Sequence, residues 1–272
     1  MHFFEKYNIP IPEVKDHDWY NSVVPEQLMN LFETDAANDK FDAILVDEGQ
    51  DFSLEFWLSL KTLLKDDFKV FHVAIDPSQQ ARFNTDSVEV DDIFGEINYS
   101  PMILQYNWRN TKRIADYANK IARELDCKTK VHGTEYSLPA LTPREEYPNG
   151  EKVFEIQVKD KDELAKEIEK ILSDLIINCK IPKDEITILS GNGIRTLSSN
   201  DGPVKFGQKL GKYTLAQFPK DNKEIQLETV RRYKGRENLV IVLIDDEALN
   251  PNLKYIGATR ANGLLYVIGV KG

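Results

Sequence analysis

The stretch Phe41-Asp42-Ala43-Ile44-Leu45-Val46-Asp47-Glu48-Gly49-Gln50-Asp51-Phe52 limits what this chain can fold into more than any other. Residues 41–46 read as a strand. The unbroken run Ile44-Leu45-Val46 has the pattern of a central parallel strand covered on both faces. It stops at two adjacent carboxylates, Asp47 and Glu48, with Asp51 close behind. Ligands of open α/β sheets sit outside the carboxyl ends of the strands. An acidic pair at that place suits a hard cation such as Mg2+, which takes oxygen ligands and is usually shared with substrate phosphates. The second carboxylate can then orient or deprotonate a water. A strand that merely ends in a polar turn looks the same, so the company it keeps decides its meaning.

That company begins at once. Ser53 can cap a helix over 54–65, with Leu54, Trp57, Leu58, Leu60, Leu63 and Leu64 as its apolar stripe. Residues 68–75 read as a second strand, which again ends in a carboxylate: Asp76-Pro77-Ser78-Gln79-Gln80. Upstream, a helix starting near Pro25 carries Leu28, Leu31 and Phe32 on one face. A boundary falls near Tyr99 to Pro101, which divides the chain into 1–100 and 101–272. Residues 102–105 read as a brief strand leading to Tyr106-Asn107-Trp108-Arg109-Asn110-Thr111 and a helix over 112–125, with Asn110 or Thr111 as its N-cap. An arginine just before a helix start can reach a phosphate.

Residues 127–150 read as a long connection, and 152–158 as a strand. Asp160 and Glu163 form a capping box for a helix to about Ile177, and 185–189 is the next strand. Within the loop-rich 190–224, Gly207-Gln208-Lys209-Leu210-Gly211-Lys212-Tyr213-Thr214 has the look of a phosphate loop. Its glycines are one residue too close, Tyr213 stands where Ser or Thr is required, and Pro219 forbids the following helix. A short hairpin fits better. Residues 224–230 and 238–245 are strands, 252–262 a helix ended by Gly263, and 264–270 the last strand. Alternating strands and helices over 41–80 and 151–270 imply two α/β domains with mostly parallel sheets.

Composition excludes several classes. A chain of 272 residues with 41% hydrophobic and 29% charged residues is globular, and no apolar run is long enough for a membrane span. The start Met1-His2-Phe3-Phe4-Glu5-Lys6 is not a signal peptide, and two distant cysteines, Cys127 and Cys179, suit a reducing cytoplasm. The net charge of −10 argues against a generally basic nucleic-acid surface, so any such binding must come from local patches.

Five stretches together resemble the motifs of UvrD/Rep-type superfamily 1 DNA helicases, and more closely the helicase half of proteins with a nuclease-related domain. Asp47-Glu48-Gly49-Gln50-Asp51 is similar to motif II (D-E-x-Q-D), and Asp76-Pro77-Ser78-Gln79 to motif III (D-x-x-Q). Asn107-Trp108-Arg109-Asn110 resembles motif IV (N-Y-R-S). Thr229 through Lys234-Gly235-Arg236-Glu237 resembles motif V, and Tyr255-Ile256-Gly257-Ala258-Thr259-Arg260-Ala261 resembles motif VI. One such match is weak; five in the family's order are specific.

The resemblance implies two RecA-like, P-loop NTPase-type domains, the first incomplete, in an ATP-dependent motor that moves on and unwinds DNA. It implies that Asp47 holds Mg2+, Glu48 activates the attacking water and Gln79 senses the γ-phosphate of ATP. It implies that Arg109 and Arg260 stabilise the transferring phosphoryl group. Glu237 would meet the ribose beside the Lys234-Gly235 turn, and Thr229 and Arg231 would lie near the DNA. Phe83, one step beyond the expected place, is the candidate for stacking on a base.

The departures are Arg231 in place of histidine, Arg236 in place of leucine, and a short connection between motifs IV and V. No segment reads G-x-x-x-x-G-K followed by Ser or Thr, the loop that cradles phosphates. The expectation is therefore a carboxyl-terminal portion of a longer motor, inactive as an ATPase without an N-terminal segment that carries the loop. The alternative is a non-catalytic, degenerate helicase-like module that binds DNA or a protein partner. A Mg2+-dependent nuclease using Asp47, Glu48 and Asp76 would explain none of the arginine motifs.

Overall fold

The computed structural model describes residues 2–13, 18–34, 39–65, 70–79, 90–94, 99–102, 104, 106–125, 128–131, 134–137, 142–143, 145–191 and 208–270. They form two units. One comprises Met1–Pro77, Arg82–Ser100 and Thr129–Glu135; the other Ser78–Ala81, Pro101–Lys128 and Tyr136–Gly272.

The first unit runs α1 (His2–Lys6), α2 (Val24–Glu33), β1 (Ala43–Val46), α3 (Leu54–Thr62), β2 (Val70–Val73) and α4 (Val90–Phe94). Pro25 sits in the first turn of α2, directly after the π-helical turn Trp19–Val23 that leads into it. Leu28, Leu31 and Phe32 pack inward on Phe4, Trp19 and Leu63, as their spacing predicts. The Ser53 hydroxyl accepts the Phe56 N–H at 3.3 Å and caps α3. Trp57 of α3 is fully buried, edge-on to Phe52 and Phe71, with ring centroids 5.5 and 6.1 Å away.

Strands β1 and β2 pair in parallel from Ala43 with Val70 to Val46 with Val73. Two expectations fail here. The strand is four residues long, and Phe41 joins only through an isolated bridge to Leu64. Nor is it covered on both faces. Ile44, Val46, Phe71 and Val73 face Trp57 and Ile93, whereas Ala43, Leu45, Val70 and His72 are exposed, Leu45 at 77%. A parallel strand is buried twice only when helices flank both faces and strands both edges. Among the described residues this sheet has two strands and one packed face.

The chain continues with β3 (Tyr106–Asn107), α5 (Lys112–Leu125), β4 (Lys128–Val131), β5 (Thr134–Ser137), β6 (Thr142–Pro143), β7 (Phe154–Val158), α6 (Lys161–Ser173), β8 (Ile186–Ser190), β9 (Gln208–Leu210), β10 (Tyr213–Ala216), β11 (Glu224–Thr229), α7 (Val230–Tyr233), β12 (Asn238–Asp245), α8 (Pro251–Ala258) and β13 (Ala261–Val270). Apart from β4 and β5, which overlap Thr129–Glu135 of the first unit, these elements belong to the second unit. Its main sheet has the order β7-β13-β12-β8-β11-β10-β9. The first six strands are parallel and β9 is antiparallel to β10. The fold is α/β, as the alternation implies.

The sheet is buried on both sides. Ile114 and Ala118 of α5 and Tyr255 and Ile256 of α8 pack on Leu189, Ile241, Leu243 and Leu265. Leu164, Ile168 and Leu172 of α6 pack on Ile186, Ile188, Val242 and Ile268 across the other face. Successive residues of β8 and β12 thus feed opposite cores, which is why both read as unbroken apolar runs. The predicted capping box of α6 is present: Asp160 Oδ1 accepts the Glu163 N–H at 2.8 Å, and Glu163 Oε2 accepts the Lys159 N–H at 2.7 Å.

Other boundaries move. Strands β4 and β5 form a pair of their own within the stretch expected to be a long connection. The strand expected at 102–105 is instead the two-residue β3, paired with β6; Ile103 and Gln105 lie outside the described residues. The rejected phosphate loop is the β9–β10 hairpin, turning on Gly211 at φ +54. Helix α8 stops at Ala258, short of the expected 262, and β13 begins at Ala261. The Asn238 N–H donates to the Arg260 carbonyl at 3.0 Å, and Asn238 pairs in register with Ala261. The sheet ladder thus takes over before Gly263 can end anything. No described helix is long and apolar enough to cross a membrane.

Candidate functional site

The acidic turn belongs to the first unit. Asp47 and Glu48 directly follow β1, and Asp76 closes the turn after β2. Asp47 is exposed, with Oδ1 accepting the Glu48 N–H at 2.9 Å. Glu48 takes the left-handed conformation at φ 55, ψ 37, uncommon for a residue with a side chain. Its carboxylate accepts from Gln50 Nε2 at 2.6 Å, and Gln50 Oε1 accepts the Asp76 N–H at 2.9 Å. One amide side chain therefore joins the tips of both strands and holds Glu48. Gly49 is the close-approach residue of this turn: a Cβ there would lie 2.7 Å from the Trp57 ring and 2.8 Å from Ile75. Gln50 was not singled out from sequence. Its local signal is its match to the glutamine of the D-E-x-Q-D pattern.

Among the described residues no group of three or more His, Cys, Asp or Glu side chains could hold a metal. A cation at this turn would draw on Asp47 and take its remaining oxygens from water and phosphate. That sparse protein contribution suits Mg2+.

The arginines belong to the second unit, as does the Ser78–Ala81 segment that carries Gln79. Arg260 is 1% exposed, in the turn between α8 and β13. Its Nη2 donates to Gln79 Oε1 at 2.5 Å and to Thr259 Oγ1 at 3.3 Å, and its Nε to the Ile256 carbonyl at 3.1 Å. A buried guanidinium needs such acceptors to offset lost hydration. Arg109, half-exposed before α5, forms an ion pair with Glu237. Glu237 also accepts from Asn262 Nδ2 at 3.3 Å. The structure thus brings Gln79 to Arg260, and Arg109 to Glu237.

Thr111 takes the expected N-cap position of α5, its carbonyl accepting the Ala115 N–H at 2.9 Å, but neither it nor Asn110 caps with its side chain. The Asn110 amide turns across the unit to the carbonyls of Thr259 and Ala261, at 3.1 and 2.6 Å, and the buried Thr111 hydroxyl has no hydrogen-bond partner.

Thr229 caps the single turn of α7, accepting the Arg232 N–H at 3.3 Å. Arg231 is exposed on that turn, and Lys234 leads to Gly235 at φ +80 and then to Glu237. A side chain at Gly235 would meet no neighbour, so the need there is for the backbone angle alone. Arg236, the unusual charge, is accommodated at the surface. Its Nη2 donates to Gln226 Oε1 at 3.0 Å and its guanidinium lies 4.9 Å from the centre of the Tyr233 ring. The Tyr233 hydroxyl donates to the Glu237 carbonyl at 3.1 Å and accepts from Thr187 at 3.3 Å. Burial pushes its phenol above the usual value, against the Thr187 hydrogen bond and the charges of Arg236 and Arg260. Phe83 lies outside the described residues.

No protein-family model matches the chain, and no curated protein matches it. Among solved structures, the C-terminal domain of a possible DNA helicase from Lactobacillus plantarum is similar at 13% identity and a TM-score of 0.38, over 61% of this chain and 88% of that one. The PRRSV helicase is similar at 14% identity and a TM-score of 0.41, over 84% of this chain and 34% of its own. The arterivirus nonstructural protein 10 helicase, solved with DNA, is similar at 14% identity and a TM-score of 0.42, over 83% of this chain and 39% of its own. The chain thus spans little more than a third of the viral helicases. These likenesses are too loose to bear on activity.

Proposed function

We propose that this chain is the carboxyl-terminal part of an ATP-driven DNA helicase of the UvrD/Rep type. The phosphate-cradling loop is assigned to a segment outside these residues. Asp47 would hold Mg2+, and bound MgATP would supply the electrophilic phosphorus and part of the charge screening. Glu48 would take a proton from the attacking water on its carboxylate. Arg109 and Arg260 would offset charge on the phosphoryl oxygens. Glu237 would meet the ribose; since it pairs with Arg109, the two must separate or share the nucleotide between them. Gln79, bonded to Arg260, would relay the state of the phosphate. Thr229 and Arg231, with Lys234 beside them, would face DNA.

The observation that carries the reading is the pairing of motif residues distant in sequence. Gln79 meets Arg260, and Arg109 meets Glu237. The exposed face at Leu45 supports an incomplete first sheet.

The test is steady-state turnover of MgATP with and without single-stranded DNA. The chain alone should show negligible turnover, and the complete protein about 1 to 10³ per second. DNA-stimulated turnover in that range by the 272 residues alone would overturn the fragment assignment. Undiminished turnover of Glu48→Gln in the complete protein would overturn its role as base. If neither form binds ATP, the non-catalytic module is the reading that stands.

A further inference from the structure

We infer that Asn110 is a positioning residue that fixes Arg109 and Arg260 at one spacing. The inference deepens the proposed site and rests on those arginines being phosphate ligands; the clamp itself is geometric. Asn110 is 2% exposed. Its Nδ2 donates to the carbonyls of Thr259 and Ala261, the two residues flanking Arg260, at 3.1 and 2.6 Å. Its Oδ1 accepts from Asn107 Nδ2 at 2.8 Å. Asn107, also buried, uses its own Oδ1 to accept the N–H groups of Arg109 and Asn110 at 2.9 and 3.0 Å.

The backbone dictates both amide orientations. Two carbonyls must be met by an NH2 group, and two N–H groups by an oxygen, so neither side chain can be reversed. The carbonyl between them, that of Arg260, accepts the Asn238 N–H at 3.0 Å. Three consecutive carbonyls, 259 to 261, are therefore held by fixed donors. Asn238 in turn follows Glu237, the ion-pair partner of Arg109. The two arginine turns, a hundred and fifty residues apart, form one closed assembly with Asn110 as its pin.

No other residue replaces it. Aspartate would set a carboxylate against two carbonyl oxygens, serine has one donor, and glutamine is a methylene too long for a filled site. A displacement of about 1 Å in a positioned group costs on the order of a hundredfold in rate.

The test uses the intact chain with 15N-labelled arginine, reading the Nε–H resonances of Arg109 and Arg260 assigned through Arg109→Lys and Arg260→Lys. In Asn110→Ser, folded by circular dichroism and held well below its melting temperature, both resonances should move. Arg260 should also exchange its Nε proton about tenfold faster or more, while Arg231 and Arg232 stay in place. A residue serving stability alone would lower the melting temperature and leave the resonances where they were; that outcome overturns the inference. Should Asn110→Ser fail to fold, Asn107→Ser severs only the link to the Arg109 turn. Movement of the Arg109 resonance then supports the clamp and its absence refutes it. MgATP binding by the complete protein, which carries the phosphate loop, is titrated separately. Shifted resonances together with a complete protein that binds no ATP leave the clamp standing and remove the phosphate reading. Fixed resonances together with a complete protein that binds ATP do the reverse.

Discussion

Strands β1 and β12 are both runs of Ile, Leu and Val that lead into an aspartate, and they meet opposite fates. In β12 the five residues Val240–Ile244 are wholly buried, between β13 and β8 and under helices on both sides. In β1, Leu45 is 77% exposed and the sheet has two strands among the described residues. Burial of an apolar run is therefore a property of its neighbours rather than of the run. The same contrast separates the polar groups above the strands. The acidic turn rests on one small aromatic cluster around Trp57, whereas the arginine turns rest on a two-sided core.

The largest effect expected from this contrast comes at Trp57. Trp57→Ala should cost about 3–5 kcal/mol and melt the first unit while the second keeps its transition, a split visible by scanning calorimetry. A single transition moved as a whole would show that the units fold as one. Leu243→Ala, in the two-sided core, should cost about 2–5 kcal/mol and shift only the second transition. Gln50→Leu comes next. It removes the amide that bonds both the Glu48 carboxylate and the Asp76 N–H and should cost about 1–3 kcal/mol in the first unit, measured by urea denaturation.

Alkaline pH should act on the second unit more gently. Burial holds the Tyr233 phenol above the ordinary 10.0, against the Thr187 hydrogen bond and two arginine charges. The protonated phenol's contribution is intact below the unfolded value and is lost as pH rises through the higher folded value. Stability should therefore fall above about pH 10, and Tyr233→Phe should flatten that slope in denaturation midpoints; an unchanged slope would remove Tyr233 as its source. The smallest effect belongs to the bare face. Leu45→Lys should alter stability by no more than about 0.5 kcal/mol in this chain. A larger loss by urea denaturation would mean that the face is covered in solution.

Much of the second unit was legible in advance because it obeys local rules. Two-sided burial makes β8 and β12 continuous apolar runs, one-sided burial gives α5 and α6 their stripes, and Asp160 announces a helix start through a hydrogen bond three residues long. What escaped is non-local. No pattern within 41–46 tells how many strands will flank it. The end of α8 is set by the Asn238 N–H, some twenty residues earlier, rather than by Gly263. Asn110 reads as a helix cap because caps are local, whereas its partners lie 149 and 151 residues away. The arginine and carboxylate positions could be picked out by motif order, but their pairings could not.

The strand order of the larger sheet also bears on how the protein is made. β7 is the first of the six parallel strands to leave the ribosome, yet its hydrogen-bonded neighbour is β13, the last. Until β13 emerges, β7 has no strand of the sheet to pair with, and β12 lacks one flank. Assembly by such distant pairing is slow and leaves apolar edges open to other chains. Loss of residues 261–270 would unseat two strands at once, so a late stop in synthesis should release an aggregating product rather than a shortened domain.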